Sequence, residues 1–176
     1  MKHASSQGLK QALFVGRFQP FHLGHLSVIK KALETEDRLI IVIGSAEENH
    51  EAANPFTAGE RFQMIEACLS AEGISGDRYA IIPIRNVENF MLWTTHVDQY
   101  IPPVYKVYTG SDIVKALYTA HGKYKIEDVE FVSNVSGTVI REKIVKGDDE
   151  WKQLVHPSVV ALIEGWNGVQ RVKMVS

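Results

Sequence analysis

Short β-branched runs along the chain alternate with longer stretches whose apolar residues recur every three or four positions. Leu13-Phe14-Val15 is a first apolar run and stops at Gly16. From Leu23 to Glu34 the apolar positions are Leu23, Leu26, Ile29, Ala32 and Leu33, the spacing of one helical face. Leu39 to Ile43 is an unbroken apolar run closed by Gly44, as expected of a strand buried on both faces. Pro55 precedes a second helical stretch, with Phe56, Phe62, Ile65, Ala67 and Leu69 apolar and Gly73 near its end. Tyr79–Ile84, Val104–Tyr108 and Val129–Val132 read as third, fourth and fifth strands. Helices are expected around Met91–Tyr100 and Ile113–His121, and at the C-terminal end over Gly137–Lys146, Glu150–Leu154 and Ser158–Trp166.

Strands alternating with crossover-length helices predict βαβ units and therefore a parallel sheet. The expected fold is α/β, a doubly wound five-stranded parallel sheet with C-terminal helices, forming one domain over residues 1–176. In such sheets ligands bind beyond the carboxyl ends of the strands, where strand order reverses. The loop after each strand is thus where chemistry should be sought.

Composition narrows the partners. Nineteen Lys and Arg against 21 Asp and Glu give a net charge of −2, so no global basic field exists to coat a nucleic acid. A small anionic ligand needs only a few placed cations and stays open. The single cysteine, Cys68, has no intrachain partner. The polar N-terminal stretch lacks the apolar core of a signal peptide, and no run approaches the ~18 apolar residues of a membrane span. These features predict a cytoplasmic protein with neither nucleic acid nor membrane as partner.

The loop after the first strand, Gly16-Arg17-Phe18-Gln19-Pro20-Phe21-His22-Leu23-Gly24-His25, opens directly into a helix. His22 and His25 are three apart and share a helical face. Three readings of the pair stay open: capping or packing, a zinc pair, and donation to a polyphosphate held at the helix N-terminus. The zinc reading is the weakest, since neither cysteine spacing nor H-E-x-x-H accompanies it. After the fifth strand, Ser136-Gly137-Thr138-Val139-Ile140-Arg141 begins another helix. Ser136 is its expected N-cap, Thr138 offers a hydroxyl, and Arg141 presents a fork of donors suited to phosphate oxygens.

The G-R-F-Q-P-F-H-L-G-H and S-G-T-V-I-R segments together resemble the HxGH nucleotidylyltransferase superfamily. Gly44-Ser45-Ala46, the run from Asn54 to Arg61 (N-P-F-T-A-G-E-R), Leu92-Trp93 and Asn167-Gly168-Val169 narrow the likeness. It is to the archaeal-type nicotinamide mononucleotide adenylyltransferases, from about Leu13 to about Val172. The resemblance implies a Rossmann-like fold and transfer of AMP from ATP to nicotinamide mononucleotide (NMN), giving NAD and pyrophosphate in NAD biosynthesis. It implies His22, His25 and Arg141 as catalytic residues. ATP would be bound by these three with Gly16, Arg17, Phe18, Gly110, Asp112, Ser136 and Thr138, and NMN by Arg17, Asn89 and Trp93. Trp93 would stack on the nicotinamide ring and Asn89 read its carboxamide, with Phe90 at the alternative position. Gly110, Ser111 and Asp112 would lie beside the adenosine, although Asp112 serves equally as a cap for the helix that follows.

One departure stands out: many archaeal members carry arginine where this chain has Ala53. Arg61 is expected to be a structural ion-pair residue and not a replacement for it. The acidic loop Glu47-Glu48-Asn49-His50-Glu51 is unexpected beside a triphosphate. No protein metal cage is visible, so Mg²⁺ or another divalent cation is expected to arrive with ATP. The family also implies a homo-oligomer. Two alternatives remain: another nucleotidylyltransferase of the superfamily, such as a phosphopantetheine adenylyltransferase, or a pyridine-nucleotide sensor without catalysis.

Overall fold

The computed structural model describes residues 8–129 and 135–176. Five strands, β1 (Gln11–Gly16), β2 (Arg38–Ile43), β3 (Tyr79–Pro83), β4 (Lys106–Thr109) and β5 (Lys125–Asp128), form one sheet in the order β3-β2-β1-β4-β5. Every neighbouring pair is parallel. The chain winds outward from β1 through β2 to β3, then crosses back to β4 on the other side of β1. Strand order therefore reverses between β1 and β4.

Alternation along the strands divides the interior into two layers. Ala12 and Phe14 of β1 with Leu39, Ile41 and Ile43 of β2 face one side. There they meet α1 (Leu23–Leu33), α2 (Ala58–Ala71), α5 (Gly137–Lys146), α6 (Pro157–Gly165) and α7 (Gly168–Val175) through Ile29, Met64, Ile140, Ile163 and Val172. Leu13, Val15, Ile40 and Val42 face the other side, against Trp93 and Val97 of α3 (Trp93–Asp98) and Tyr118 of α4 (Asp112–His121). Leu39 to Ile43 are all fully buried, which accounts for the unbroken apolar run read in the sequence.

The fifth strand lies upstream of its expected place. Lys125–Asp128 pairs with β4, and of the Val129–Val132 run only Val129 is among the described residues. It stands outside the strand, although its N–H still reaches Thr109 O at 3.2 Å. The stretch expected as a helix over Met91–Tyr100 is a 3-10 turn, Phe90–Leu92, running into α3. Asp149–Gln153 is likewise a 3-10 turn.

Candidate active site

At the carboxyl ends of the strands, over the β1/β4 reversal, the loops enclose a cavity of about 550 Å³. Its wall combines Gly16–Gln19, His22 and His25 after β1 with Gly44 and Ser45 after β2. Asn86, Phe90 and Trp93 come from beyond β3, Gly110 and Ser111 from beyond β4, and Ser136–Thr138 with Arg141 from the start of α5.

The turn out of β1 is closely fitted. A Cβ on Gly16 would lie 2.8 Å from the Phe18 ring, so only glycine leaves room for that ring to fold back. The Gln19 side chain holds the main chain of Phe56 from both sides, accepting its N–H at 2.9 Å and donating to its carbonyl at 2.8 Å. His22 then caps α1. Its Nδ1 accepts the His25 N–H at 3.3 Å, and His25 Nδ1 accepts the His22 N–H at 3.2 Å. This is a capping box built from two imidazoles, whose rings stack with centroids 3.5 Å apart. The capping reading and the phosphate reading are thus compatible, since capping uses only Nδ1. An Nδ1 that accepts carries no proton, so each neutral ring bears its hydrogen on Nε2. Burial keeps both rings neutral: it lowers the His22 pKa to about 4 and pushes His25 well below its usual value, with the charge of His22 adding to the effect.

Arg141, one turn into α5, donates to Gln19 O at 2.7 Å and to Thr138 Oγ1 at 3.4 Å. Ser136 caps the helix by accepting the Val139 N–H at 3.2 Å, as the sequence predicts. A Cβ on Gly137 would lie 2.8 Å from Gln19 O, so α5 abuts the β1 loop there. Two motifs far apart in the chain therefore form one wall. A second groove adjoins the cavity, sharing Thr138 and Arg141 and lined also by Ala52, Ala53 and Lys146.

Arg61 is fully buried and structural, and among the described residues it bonds carbonyls and makes no ion pair. Its guanidinium donates to the carbonyls of Arg17, Gly44, Ser45 and Glu48 at 2.9–3.4 Å, and its Nε to Thr57 O at 3.2 Å. It fixes the loops after β1 and β2 from beneath. Of the acidic loop, Glu47 and Glu48 are engaged by asparagine N–H groups, and only Glu48 is partly buried. Glu47 accepts the Asn86 N–H at 2.9 Å, and Glu48 accepts from Asn54 Nδ2 at 2.6 Å and Asn86 Nδ2 at 2.9 Å. Asn54 Oδ1 lies 3.5 Å from Arg17 Nη1, which carries the network to the loop after β1.

Of the sequence-selected residues, Gly16, Arg17, Phe18, His22, His25, Trp93, Gly110, Ser136, Thr138 and Arg141 all line the cavity. Asn89 and Asp112 do not. Asn89 is exposed and caps the Phe90 turn, its Oδ1 accepting the Met91 N–H at 3.1 Å. Asp112 is exposed in the first turn of α4, where Ser111 is the cap. Trp93 is only 2% exposed and belongs to the core while its edge reaches the cavity. Gln19, Ser45 and Asn86 were not singled out. Gln19 and Ser45 lie within segments that carry the family likeness, whereas for Asn86 the switch-point rule was the only signal in the sequence.

A family model described as cytidylyltransferase-like matches residues 13–143. Curated relatives named nicotinamide-nucleotide adenylyltransferase match nearly the whole chain. That of Picrophilus torridus is 40% identical over 168 residues, 94% of this chain and 97% of the relative. That of Thermoplasma volcanium is 41% identical, over 94% of this chain and 92% of its own. The chain belongs to the cytidylyltransferase-like family, among its nicotinamide-nucleotide adenylyltransferases. A solved bifunctional NMN adenylyltransferase/ADP ribose pyrophosphatase from Francisella tularensis, complexed with AMP and Mn ion, shares this adenylyltransferase fold. It is 26% identical at a TM-score of 0.74. The match covers 96% of this chain, which spans about half the length of that two-activity protein (52%). A putative nicotinate-nucleotide adenylyltransferase from Vibrio parahaemolyticus has the same fold at 17% identity and a TM-score of 0.63.

Proposed function

We propose that this adenylyltransferase binds ATP and NMN in the cavity and transfers AMP between them, forming NAD and releasing pyrophosphate. The observation that carries the reading is the bond from Arg141 to Gln19 O. It brings two buried Nε2–H donors, a guanidinium and the N-termini of α1 and α5 around one space. The aromatic wall of Phe90 and Trp93 closes that space on the side away from α5. Polyphosphate and a flat heteroaromatic ring are the two chemistries such walls hold.

In this mechanism a 5′-phosphate oxygen of the mononucleotide attacks the α-phosphorus of ATP in line. The new P–O bond forms as the bond to the β-phosphate breaks, and the electron pair leaves with pyrophosphate. A phosphate monoester is already anionic at neutral pH, so the protein's task is positioning and charge stabilisation. His22 and His25 donate from Nε2 to oxygens of the reacting phosphates. Arg17 lies over the same phosphates, and Ser136, Thr138 and Arg141 hold the departing pair. Lys146, which lines the adjoining groove together with Ala53, is a further cation available to that pair. Among the described residues no group of three or more His, Cys, Asp or Glu is arranged to hold a metal ion. The walls offer donors, which fits a divalent cation carried by the phosphate oxygens of ATP itself. Gly110 and Ser111 lie on the adenosine side.

A cytoplasmic location and assembly into a homo-oligomer belong to the same proposal. Fractionation and sedimentation test them. The reaction is tested by pyrophosphate release from ATP with NMN and Mg²⁺. Absence of release at millimolar substrate would sink it.

A further inference from the structure

Beyond β3, the cavity wall sets one polar side chain beside two aromatic ones: Asn86, with Phe90 and Trp93. The Asn86 amide is not free to turn. Glu48 is an acceptor, and each of its carboxylate oxygens is engaged, Oε2 by Asn54 Nδ2 at 2.6 Å and Oε1 by Asn86 Nδ2 at 2.9 Å. The group facing Glu48 must therefore be the NH₂ end of Asn86, and the same nitrogen reaches Ser45 Oγ at 3.0 Å. The main chain is held as well, by the bonds from Asn86 N–H to both oxygens of Glu47 at 2.9 and 3.2 Å. With its nitrogen so committed, Asn86 offers the cavity its carbonyl oxygen, Oδ1.

We propose that Asn86, oriented by Glu48, is the residue that selects a carboxamide over a carboxylate on the pyridine ring of the mononucleotide. A fixed carbonyl accepts an N–H from a carboxamide. It has nothing to give a carboxylate, whose oxygens would face an unanswered lone pair with two glutamates directly behind it. Discrimination thus comes from repulsion of the acid as much as attraction of the amide. A site built on one hydrogen bond rejects the analogue lacking its donor because both partners are then left unpaired. Glu47 and Glu48 of the acidic loop, unexpected beside a triphosphate, have their use here. Glu48 acts through Asn86 and is a positioning residue.

This inference rests on the adenylyl-transfer reading above, and the test separates the two. Turnover of NMN and of nicotinic acid mononucleotide with Mg·ATP is compared in the full chain, in Asn86→Ala and in Glu48→Gln. The readout is the ratio of kcat/KM for the two mononucleotides. A ratio taken on one preparation is insensitive to how much of it is folded. The wild type should favour the amide, and Asn86→Ala should shrink the ratio by roughly tenfold or more. Glu48→Gln keeps the size of the side chain but can donate as well as accept, so the Asn86 amide is released to flip. That variant should shrink the ratio similarly, with the KM for ATP unchanged within about twofold. A wild type that turns over both mononucleotides equally overturns the proposal, as does a ratio unmoved in both variants. Turnover of neither mononucleotide by the wild type overturns the adenylyl-transfer reading itself.

Discussion

In the proposed reaction His22 and His25 each do two jobs with opposite edges of one ring. Nδ1 completes the start of α1, and Nε2–H is the edge assigned to the phosphates. A neutral donor suits a phosphate whose charge grows during transfer, because its contribution strengthens in the transition state. His25→Ala is expected to lower kcat by roughly a hundredfold or more. A raised KM at unchanged kcat would instead make His25 a ground-state contact. Burial also couples the pair to pH. Burial lowers the folded His22 ring from the ordinary 6.5 to about 4, and His25 shifts the same way. As pH falls from 6.5 towards 4, the unfolded chain gains protons that the folded rings refuse. Stability is therefore lost on acidification, at up to about 1.4 kcal/mol per pH unit for each ring. Melting temperatures recorded between pH 7 and pH 5 should fall. The slope should be shallower in His22→Asn, which keeps a capping acceptor but cannot titrate. Equal slopes would remove the histidines from the account.

At the scale of elements, α2 and α5 are the buttresses of the site. Arg61 on α2 ties down the carbonyls after β1 and β2, and Arg171 of α7 bonds Glu60 at 2.6 Å, binding the last helix to α2. Arg61→Lys keeps the charge but loses the fork, and the stranded buried carbonyls should lower stability by about 2–3 kcal/mol. Thermal denaturation should register this as a drop of roughly 5–10 °C. A smaller change would mean that water replaces the guanidinium. Most elements could be read from the sequence because their apolar spacing is dictated by burial on one or both faces. β5 could not. In Lys-Ile-Glu-Asp only Ile126 is apolar, and this edge strand owes its place to backbone pairing with β4. The Val129–Val132 run drew the assignment away from it. α7 was missed because Asn167-Gly168 reads as a turn, and of the eight residues of α7 only Gly168 and Val172 are buried.

For the whole molecule, the topology places loops from all parts of the chain over one reversal of strand order. The loops that the sequence points to do meet there, and of the two motifs Gly16, Arg17, Phe18, His22, His25, Ser136, Thr138 and Arg141 reach the cavity. The sequence could not say which side chain in a loop turns inward. Asn89 and Asp112 face away because each lies at a helical turn that fixes its direction, whereas Asn86 is drawn in by Glu47 and Glu48. The protein lacks a metal cage among its described residues, so the cation should be felt only together with nucleotide. Millimolar Mg²⁺ alone should leave the melting temperature unchanged, while Mg·ATP should raise it by several degrees. Chelation should abolish turnover until Mg²⁺ or Mn²⁺ is restored. A shift with Mg²⁺ alone would point to a protein-borne site.

The imidazole capping box has one more consequence. The two nitrogens of a ring share a π system, so donation from Nε2 to an anionic oxygen raises the electron density at Nδ1. The hydrogen bonds that Nδ1 receives from the backbone tighten in response. Under the proposed function, phosphate bound at Nε2 would be felt through two aromatic rings in the first peptide groups of α1. The amide protons of His22 and His25 become a built-in spectroscopic gauge of bound nucleotide, moving downfield while the helix keeps its shape.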